Sequence, residues 1–539
     1  MKWKLPQKVL LNKIKQMTLK NTFVYLLVSL SCVSYAQLKD SIKVKSNPFY
    51  ENYFTDLIEN PLLYGQFKIE DFTATHIEYQ YKNQNFKRRQ TAKHVNDITF
   101  KTQGIYNYSK NLRVFGDFNV SKSYEDDLGF NLSSQRTDHR MILSPNYYYA
   151  PKAGNWDNQR YALMGGVNYQ FNNGIALGTV IHYKNEKLYR KLDPRPEILV
   201  HDINGKAFLG YTLNNKHTLE AFVGLGKNTE ASTIIYLDDL NNSPTKEDQF
   251  VRFNSGYGYT SINNSSDKFM HRGITKTTGA GYQLKLEKQA LSVNYSYNKL
   301  IENLYQKTRF TDGTTEVLQK KSAITHKYRS INHIVKANYI FNGDKVNYFA
   351  NAKYQFAKND NFSVISQGQN FRYVENRFNF DNGLIKSENG KTLYAITLGA
   401  TYSRNVIQDL LAVVDKRVNY LEIYLKANTD LYKKGRNRIN TEIFATNYNA
   451  LNSSLNYQVS GSNTAFANQV IYNDHGYDVT SKLTTGINVN YDIKLKKSFF
   501  RIYANYQSLF ATGTQYKQYT TNLVNKPNEQ ATVGLAIIY

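Results

Sequence analysis

The 539-residue chain is 41% hydrophobic and 14% aromatic, with 45 Tyr, 29 Phe and only 9 Pro. That aromatic load excludes a disordered chain, and the absence of a Pro/Ser-rich linker favours one large domain over several. The formal net charge is +25; the first 36 residues hold six lysines and no acid, leaving +19 on the remainder.

In chain order, the first element is an export signal. Lys13, Lys15 and Lys20 precede the apolar run Thr22–Ala36, and Ser34-Tyr35-Ala36 supplies the small residues of a cleavage site. Residues 1–36 are the expected signal peptide, Met17 is an alternative start, and Gln37 would begin the mature protein. The one cysteine, Cys32, lies inside this signal, so no disulfide framework is expected. A basic exported chain points to an anionic membrane surface or anionic solutes, and to no nucleic acid.

Residues 37–65 form the next unit. Asn47 and Pro48 suit an N-cap and first helical position. Tyr50, Phe54, Leu57 and Ile58 keep helical spacing, and Pro61 is expected to end the helix. This short N-terminal helical segment is expected either to plug a lumen or to dock beneath it.

From residue 66 the pattern has a period of two. In LSVNYSY, Leu291, Val293, Tyr295 and Tyr297 share one face, and Ser292, Asn294 and Ser296 the other. In KLTTGINVNYDIKL, Leu483, Ile487, Val489, Tyr491, Ile493 and Leu495 oppose Lys482, Thr484, Asn488, Asn490, Asp492 and Lys494. Such stretches predict 18 strands (range 14–20): 66–82, 95–108, 112–124, 159–171, 175–189, 203–213, 217–230, 271–287, 291–306, 327–341, 346–360, 370–386, 391–404, 417–431, 438–451, 479–495, 498–512 and 529–539. Tight polar turns such as Asn214-Asn215-Lys216 and Lys434-Gly435-Arg436 alternate with long loops at 125–158, 190–202, 231–270, 307–326, 451–478 and 513–528. Two unequal classes of connection, with strands long enough to cross a bilayer at a tilt, characterise a closed all-β transmembrane antiparallel β-barrel over 66–539. Closure pairs every backbone group, so only the outward face need be apolar, which reconciles the fold with a mean hydropathy of −0.56. Tyr106, Tyr108, Tyr147, Tyr148, Tyr149, Tyr169 and Phe171 are expected in interfacial aromatic girdles.

The chain finishes on ATVGLAIIY. Thr532, Gly534, Ile537 and Tyr539 resemble the assembly signal of outer-membrane β-barrels, which implies the barrel-assembly machinery as a partner and the cell outer membrane as location. Val533, Leu535, Ile537 and Tyr539 would face lipid. The stretch NYYYAPKAGNWDNQRYALMGGVNYQF (146–171) and Gln37 further resemble an uncharacterised outer-membrane barrel family of Bacteroidota, which brings no assigned activity.

Chemical motifs are sparse. Asp126-Asp127, Asp238-Asp239, Asp138-His139 and Asp474-His475 are the pairs an omptin-like surface protease would need as a general-base constellation. Acidic pairs in loops are more often solvated charge, so no enzyme, no catalytic residue, no metal ligand set and no cofactor is expected. Lys87-Arg88-Arg89 and Lys320-Lys321 would meet lipid and lipopolysaccharide head groups. Lys426, Lys482, Lys494 and Arg501 are candidate basic residues of the lumen, where a ring of like charge would favour anions.

The leading functional reading is a channel, or a receptor-associated component, for passage or uptake of small solutes. The alternative is a non-conducting scaffold whose loops bind a lipoprotein, glycan or secretion partner; an occluded lumen would favour it. The segment before the first strand is too short for the plug domain of a TonB-dependent receptor, though such a receptor or a surface lipoprotein is a candidate partner. The omptin-like protease is the third reading.

Overall fold

The computed structural model describes residues 59–65, 71–138, 140–241, 243–262, 268–306, 324–364, 366–388, 391–457, 464–496 and 498–539. Residues 1–58, which carry the expected signal peptide and the helix after Asn47-Pro48, lie outside the described residues, as do His139 and Lys320-Lys321.

Eighteen antiparallel strands close on themselves. They are β1 (Phe72–Asn83), β2 (His94–Asn107), β3 (Leu112–Leu128), β5 (Gly154–Gln170), β6 (Ile175–Arg190), β7 (Arg195–Leu213), β8 (His217–Ile235), β11 (Lys268–Lys285), β12 (Gln289–Gln306), β13 (Ile324–Asn342), β14 (Val346–Ser363), β15 (Gly368–Glu388), β16 (Lys391–Asp409), β17 (Val414–Lys434), β18 (Asn437–Tyr457), β19 (Lys482–Lys494), β20 (Phe499–Ala511) and β21 (Asn528–Ile538). Three short strands, β4 (Tyr147–Tyr149), β9 (Arg252–Asn254) and β10 (Thr260–Ile262), form a separate sheet in the order β10–β9–β4.

Each expected strand is present. β21 closes the barrel: Leu535 stands opposite Ile502 of β20 and Ile77 of β1. Its register throws Val533, Leu535, Ile537 and Tyr539 outward and buries Thr532, Gly534 and Ala536 on the inner side. The same parity leaves Ile181, Ile203, Val223, Leu225, Ile274, Ile423 and Leu425 exposed on the outer wall. An exposed apolar face this extensive is foreign to a water-facing monomer. Among the described residues no helix is long and apolar enough to cross a membrane; the apolar surface is carried by strands.

Short turns gather on one rim. In the three-residue connection of the β7–β8 hairpin both Asn214 (φ 52°) and Asn215 (φ 54°) are left-handed, a conformation asparagine tolerates better than most residues. The opposite rim departs from expectation. The strands run further there, so the loop expected at 190–202 shrinks to 191–194. Hydropathy alternation fades over that stretch because the inner face is apolar as well: Ile198 and Val200 point inward and are buried in the loop-side cluster, while Leu199 between them is exposed on the outer wall.

The lumen is also entered from the short-turn side. Helical backbone ends at Glu59, just before Pro61, and Pro61 then starts a 3-10 turn, Pro61–Gly65. Asn60 accepts from the Leu62 amide (3.1 Å) and donates to Glu220 (2.6 Å), so the Asn-Pro pair at 60–61 caps that turn. Leu62 and Leu63 pack on Ile105, Phe115, Met164, Ala176, Val180 and Phe208 inside the wall. Gly178 makes room: a Cβ there would stand 2.7 Å from Pro61 Cγ.

Candidate functional site

The long-loop rim is filled by its own loops. β4, from the 129–153 loop, pairs with β9 of the 236–267 loop, Tyr148 opposite Phe253. Tyr148 faces an apolar cluster with Trp156, Ile198, Phe253, Phe269 and Leu304. Tyr147 and Tyr149 face another, with Phe130, Tyr257, Phe371, Phe466 and Ile471. β4 is therefore apolar on both faces. This corrects the girdle assignment: Tyr106, Tyr108, Tyr169 and Phe171 are exposed near the short-turn rim, whereas Tyr147, Tyr148 and Tyr149 are buried within the mouth. Alternation cannot place three consecutive rings on one lipid-facing surface.

The third component is α1, residues 464–479, whose last part is the α-helix Tyr472–Val479. Asp474 and Asp478, four apart, share one face. Asp478 is fully buried and accepts from Arg88 (2.5 Å) and from Lys416 Nζ (2.7 Å), itself fully buried. Lys416 also donates to Tyr257 Oη (3.1 Å). Asp474 accepts the Arg89 amide (2.7 Å), and Lys482 Nζ donates to the carbonyls of Tyr477 (2.6 Å) and Thr480 (2.8 Å), where a cation suits a helix C-terminus. The first loop, the helix and β17 are thus joined by one buried ionic latch. Arg88 and Arg89, expected to meet lipid head groups, are instead turned into the mouth.

A second anchor is Asp409. Its carboxylate accepts the amides of Tyr257 (2.7 Å), Tyr259 (3.1 Å), Leu411 (3.0 Å) and Ala412 (3.0 Å). Gly256, at φ +132°, lets the backbone close on it: a Cβ would lie 2.5 Å from Asp409 Oδ2. Gly256→Ala is expected to destabilise the plug by about 1–3 kcal/mol, measured as faster proteolysis of the 236–267 loop with the barrel itself intact.

Burial shapes the protonation of the helix. Desolvation pushes the Asp474 carboxyl up to about 6, against the pull of Lys416. Desolvation, then Lys416, lowers His475 to about 3; its ring stands edge-on to Tyr519 and, among the described residues, neither nitrogen has a hydrogen-bond partner. A depressed histidine contributes stability above its unfolded value near 6.5, lost progressively as pH falls toward 3. A raised carboxyl acts oppositely: Asp474 strengthens the plug as pH falls from about 6 toward 4. The two oppose one another on acidification. His475→Phe removes the destabilising contribution and is expected to leave the plug tighter than wild type at about pH 4–5, read by loop proteolysis against pH; an unchanged profile would contradict it.

Among the described residues, two large cavities lie in the lumen beneath the plug. One, about 620 Å³, lies against β13–β19; the other, about 580 Å³, lies against β1–β8 and β12. Asp138 and Arg140 border both, so the 129–153 loop stands between them.

The four lumen cations face inward but form no ring. They lie on β17, β19 and β20 alone, with Lys482 at the loop rim and Lys494 at the turn rim. Lys482 is spent on helix carbonyls, and Arg501 binds Asp492 with two contacts (2.7 and 3.2 Å). Lys426 lies beside the Tyr424 ring (5.2 Å). Of the assembly residues, Thr532 accepts from Gln80 (3.2 Å), and Gly534 lies against the Tyr503 ring. Tyr539 exchanges two backbone hydrogen bonds with Thr73 (2.8 and 3.3 Å). Among the described residues no group of three His, Cys, Asp or Glu side chains is disposed to hold a metal ion. Asp474 and His475 are sealed in the plug, out of reach of any substrate. The latch was missed because Arg88 and Asp478 are 390 residues apart; the visible signal was two acids four apart in YNDHGYDV.

No curated protein matches the chain. Among solved structures it resembles the ferric preacinetobactin receptor BauA of Acinetobacter baumannii (11% identity, 87% of this chain and 80% of that one, TM-score 0.38). It also resembles the ferric citrate transporter FecA (8%, 87% and 78%, 0.41) and the alcaligin outer membrane receptor FauA of Bordetella pertussis (9%, 87% and 76%, 0.39). Scores this low carry no argument about function. The model of a family of unknown function matches residues 61–539, the whole barrel together with the luminal turn that precedes β1, and the chain belongs to that family, DUF6850.

Proposed function

We propose that the chain is an outer-membrane β-barrel that handles a small polar solute in its lumen and keeps its loop-side mouth closed at rest. The observation that carries this reading is the plug: two apolar clusters and a buried ionic latch lie across the mouth, above two polar cavities. The exposed apolar outer wall supports the membrane setting, with lipid and lipopolysaccharide outside and the barrel-assembly machinery needed for insertion. The export signal and a Bacteroidota source belong to the same proposal. Such a barrel is not an enzyme: its work is binding and gated passage. Liposome swelling tests it. Vesicles holding the purified barrel should swell in small sugars no faster than protein-free vesicles, and rapid size-dependent swelling would identify an open porin instead.

The scaffold reading keeps one specific support. Leu237 and Leu240 on the loop after β8 are 77% and 76% exposed, as are Leu410 and Val413 at the β16–β17 tip to a lesser degree. Apolar side chains on a water-facing rim suit a protein partner, such as a surface lipoprotein or a TonB-dependent receptor. Affinity capture with wild type and with Leu237→Ser/Leu240→Ser tests it; equal recovery of partners would exclude this surface.

A further inference from the structure

The two cavities have similar volumes but different walls. The one against β1–β8 has no aromatic ring in its lining and is rich in carboxylates, including Glu78, Asp97, Glu186 and Asp202. The one against β13–β19 is lined by Tyr328, Tyr373, Tyr420, Tyr448 and Tyr477. At least four of these hydroxyls are engaged within the protein. Tyr328 donates to Asn359 (3.0 Å), Tyr373 to Asn405 (2.8 Å) and Tyr448 to the Asp478 carbonyl (2.6 Å), while Tyr420 accepts from Arg377 (3.2 Å). What the rings have left to offer is their apolar surface.

Those surfaces are not equally free. Tyr420 and Tyr448 stand over one another at 4.8 Å, and Lys482 lies over Tyr448 and Tyr477. Among the described residues no ring or cation lies over Tyr328 or Tyr373, although Tyr373 packs on one side against the apolar cluster of the plug. The polar groups between the rings carry little charge bias. Glu375 is paired with Arg377 at 2.7 Å, and Arg88 and Lys482 are held by Asp478 and by helix carbonyls. The remaining lining mixes neutral amides and hydroxyls, Asn379, Thr401, Thr446 and Thr484 among them, with the charges of Asp138, Arg140 and Glu422, two acids against one base, and with apolar side chains such as Met141, Ile142 and Leu143. The volume falls in the ~300–1,000 Å³ range of small-molecule sites.

A ligand matching this wall needs an apolar ring face to lie on tyrosine, a belt of hydroxyls for the amides and the Glu375–Arg377 pair, and no net charge. Those are the properties of a pyranose sugar, whose axial C–H bonds form the face and whose equatorial hydroxyls form the belt. We propose that the cavity at β13–β19 is the solute site and takes a neutral oligosaccharide, with Tyr328 and Tyr373 as stacking platforms and Arg377 and Glu375 as hydroxyl partners. This rests on the reading of the lumen as a solute-handling chamber, but binding and passage are separable by measurement.

The test is calorimetry on the detergent-solubilised full chain with maltotriose, cellotriose and chitotriose, each titrated to millimolar concentration. Saturable binding of at least one is expected. Tyr373→Leu and Tyr328→Leu should each weaken it about tenfold. Asp97→Asn, in the other cavity, should leave it unchanged. Retained heat-modifiability certifies that each variant is folded. No saturable binding to the wild type would overturn the proposal, as would equal binding by both leucine variants, or preference for amino acids or short peptides over all three sugars. Conductance plays no part in this test, so a barrel found open in membranes yet binding sugar would refute the closed-mouth reading alone.

Discussion

Asp478→Asn is expected to release the plug while leaving the barrel folded. The substitution keeps the volume of the side chain but leaves Arg88 and Lys416 as buried cations facing a neutral amide. Removing one partner from a buried ion pair costs about 3–5 kcal/mol because the surviving charge is stranded. The loss falls on contacts joining the first loop, α1 and β17; the strand ladders that close the barrel are untouched. The variant should therefore remain heat-modifiable, lose protease protection at 129–153 and 464–479, and show channel openings that the wild type lacks. Replacing all three charges with apolar residues (Arg88→Met, Lys416→Met, Asp478→Leu) should restore protection, since well-packed apolar groups often match or exceed a buried ionic cluster in stability. Persistent protection in Asp478→Asn would show that apolar packing alone holds the plug.

Ile537→Asp is expected to prevent membrane assembly. Ile537 points outward from β21, between Thr75 of β1 and Phe500 of β20. An outward carboxylate is worth less than the ~2–4 kcal/mol charged to a cation at the bilayer midplane, so equilibrium destabilisation is modest. The larger effect is on closure: β21 joins β20 to β1, and an unclosed barrel exposes two strand edges that lipid cannot satisfy. The expected result is loss of the heat-modifiable band from the membrane fraction. Gln530→Glu, on the inner face of the same strand beside Gln507, should assemble normally. Normal insertion of Ile537→Asp would mean that the outward face of β21 carries no assembly information.

The strands were legible because a bilayer and a wet lumen impose opposite demands on alternate residues. That demand is local, so LSVNYSY or KLTTGINVNYDIKL states its own conformation. Even β15, with Phe371, Tyr373, Phe378 and Phe380 scattered among polar residues, kept enough alternation to be placed. The plug was not legible because its determinants are distant. Tyr147-Tyr148-Tyr149 reads as an interfacial cluster until β9 is brought alongside it. Lys87-Arg88-Arg89 reads as a lipid-facing patch until Asp474 and Asp478 are seen against it. Strand ends at the loop rim were cut short for the same reason: Ile198 is buried by a loop, and no periodicity within β7 announces that. Lumen charge was read by parity alone, which cannot reveal that Asp492 pairs with Arg501.

The central claim is that the mouth is closed at rest by the molecule's own loops. Planar-bilayer recording of the wild-type barrel tests it most directly. The expected trace is a quiet baseline with at most brief, small openings, becoming frequent in Asp478→Asn. A steady, large conductance through the wild type, unchanged by Asp478→Asn, would contradict the account.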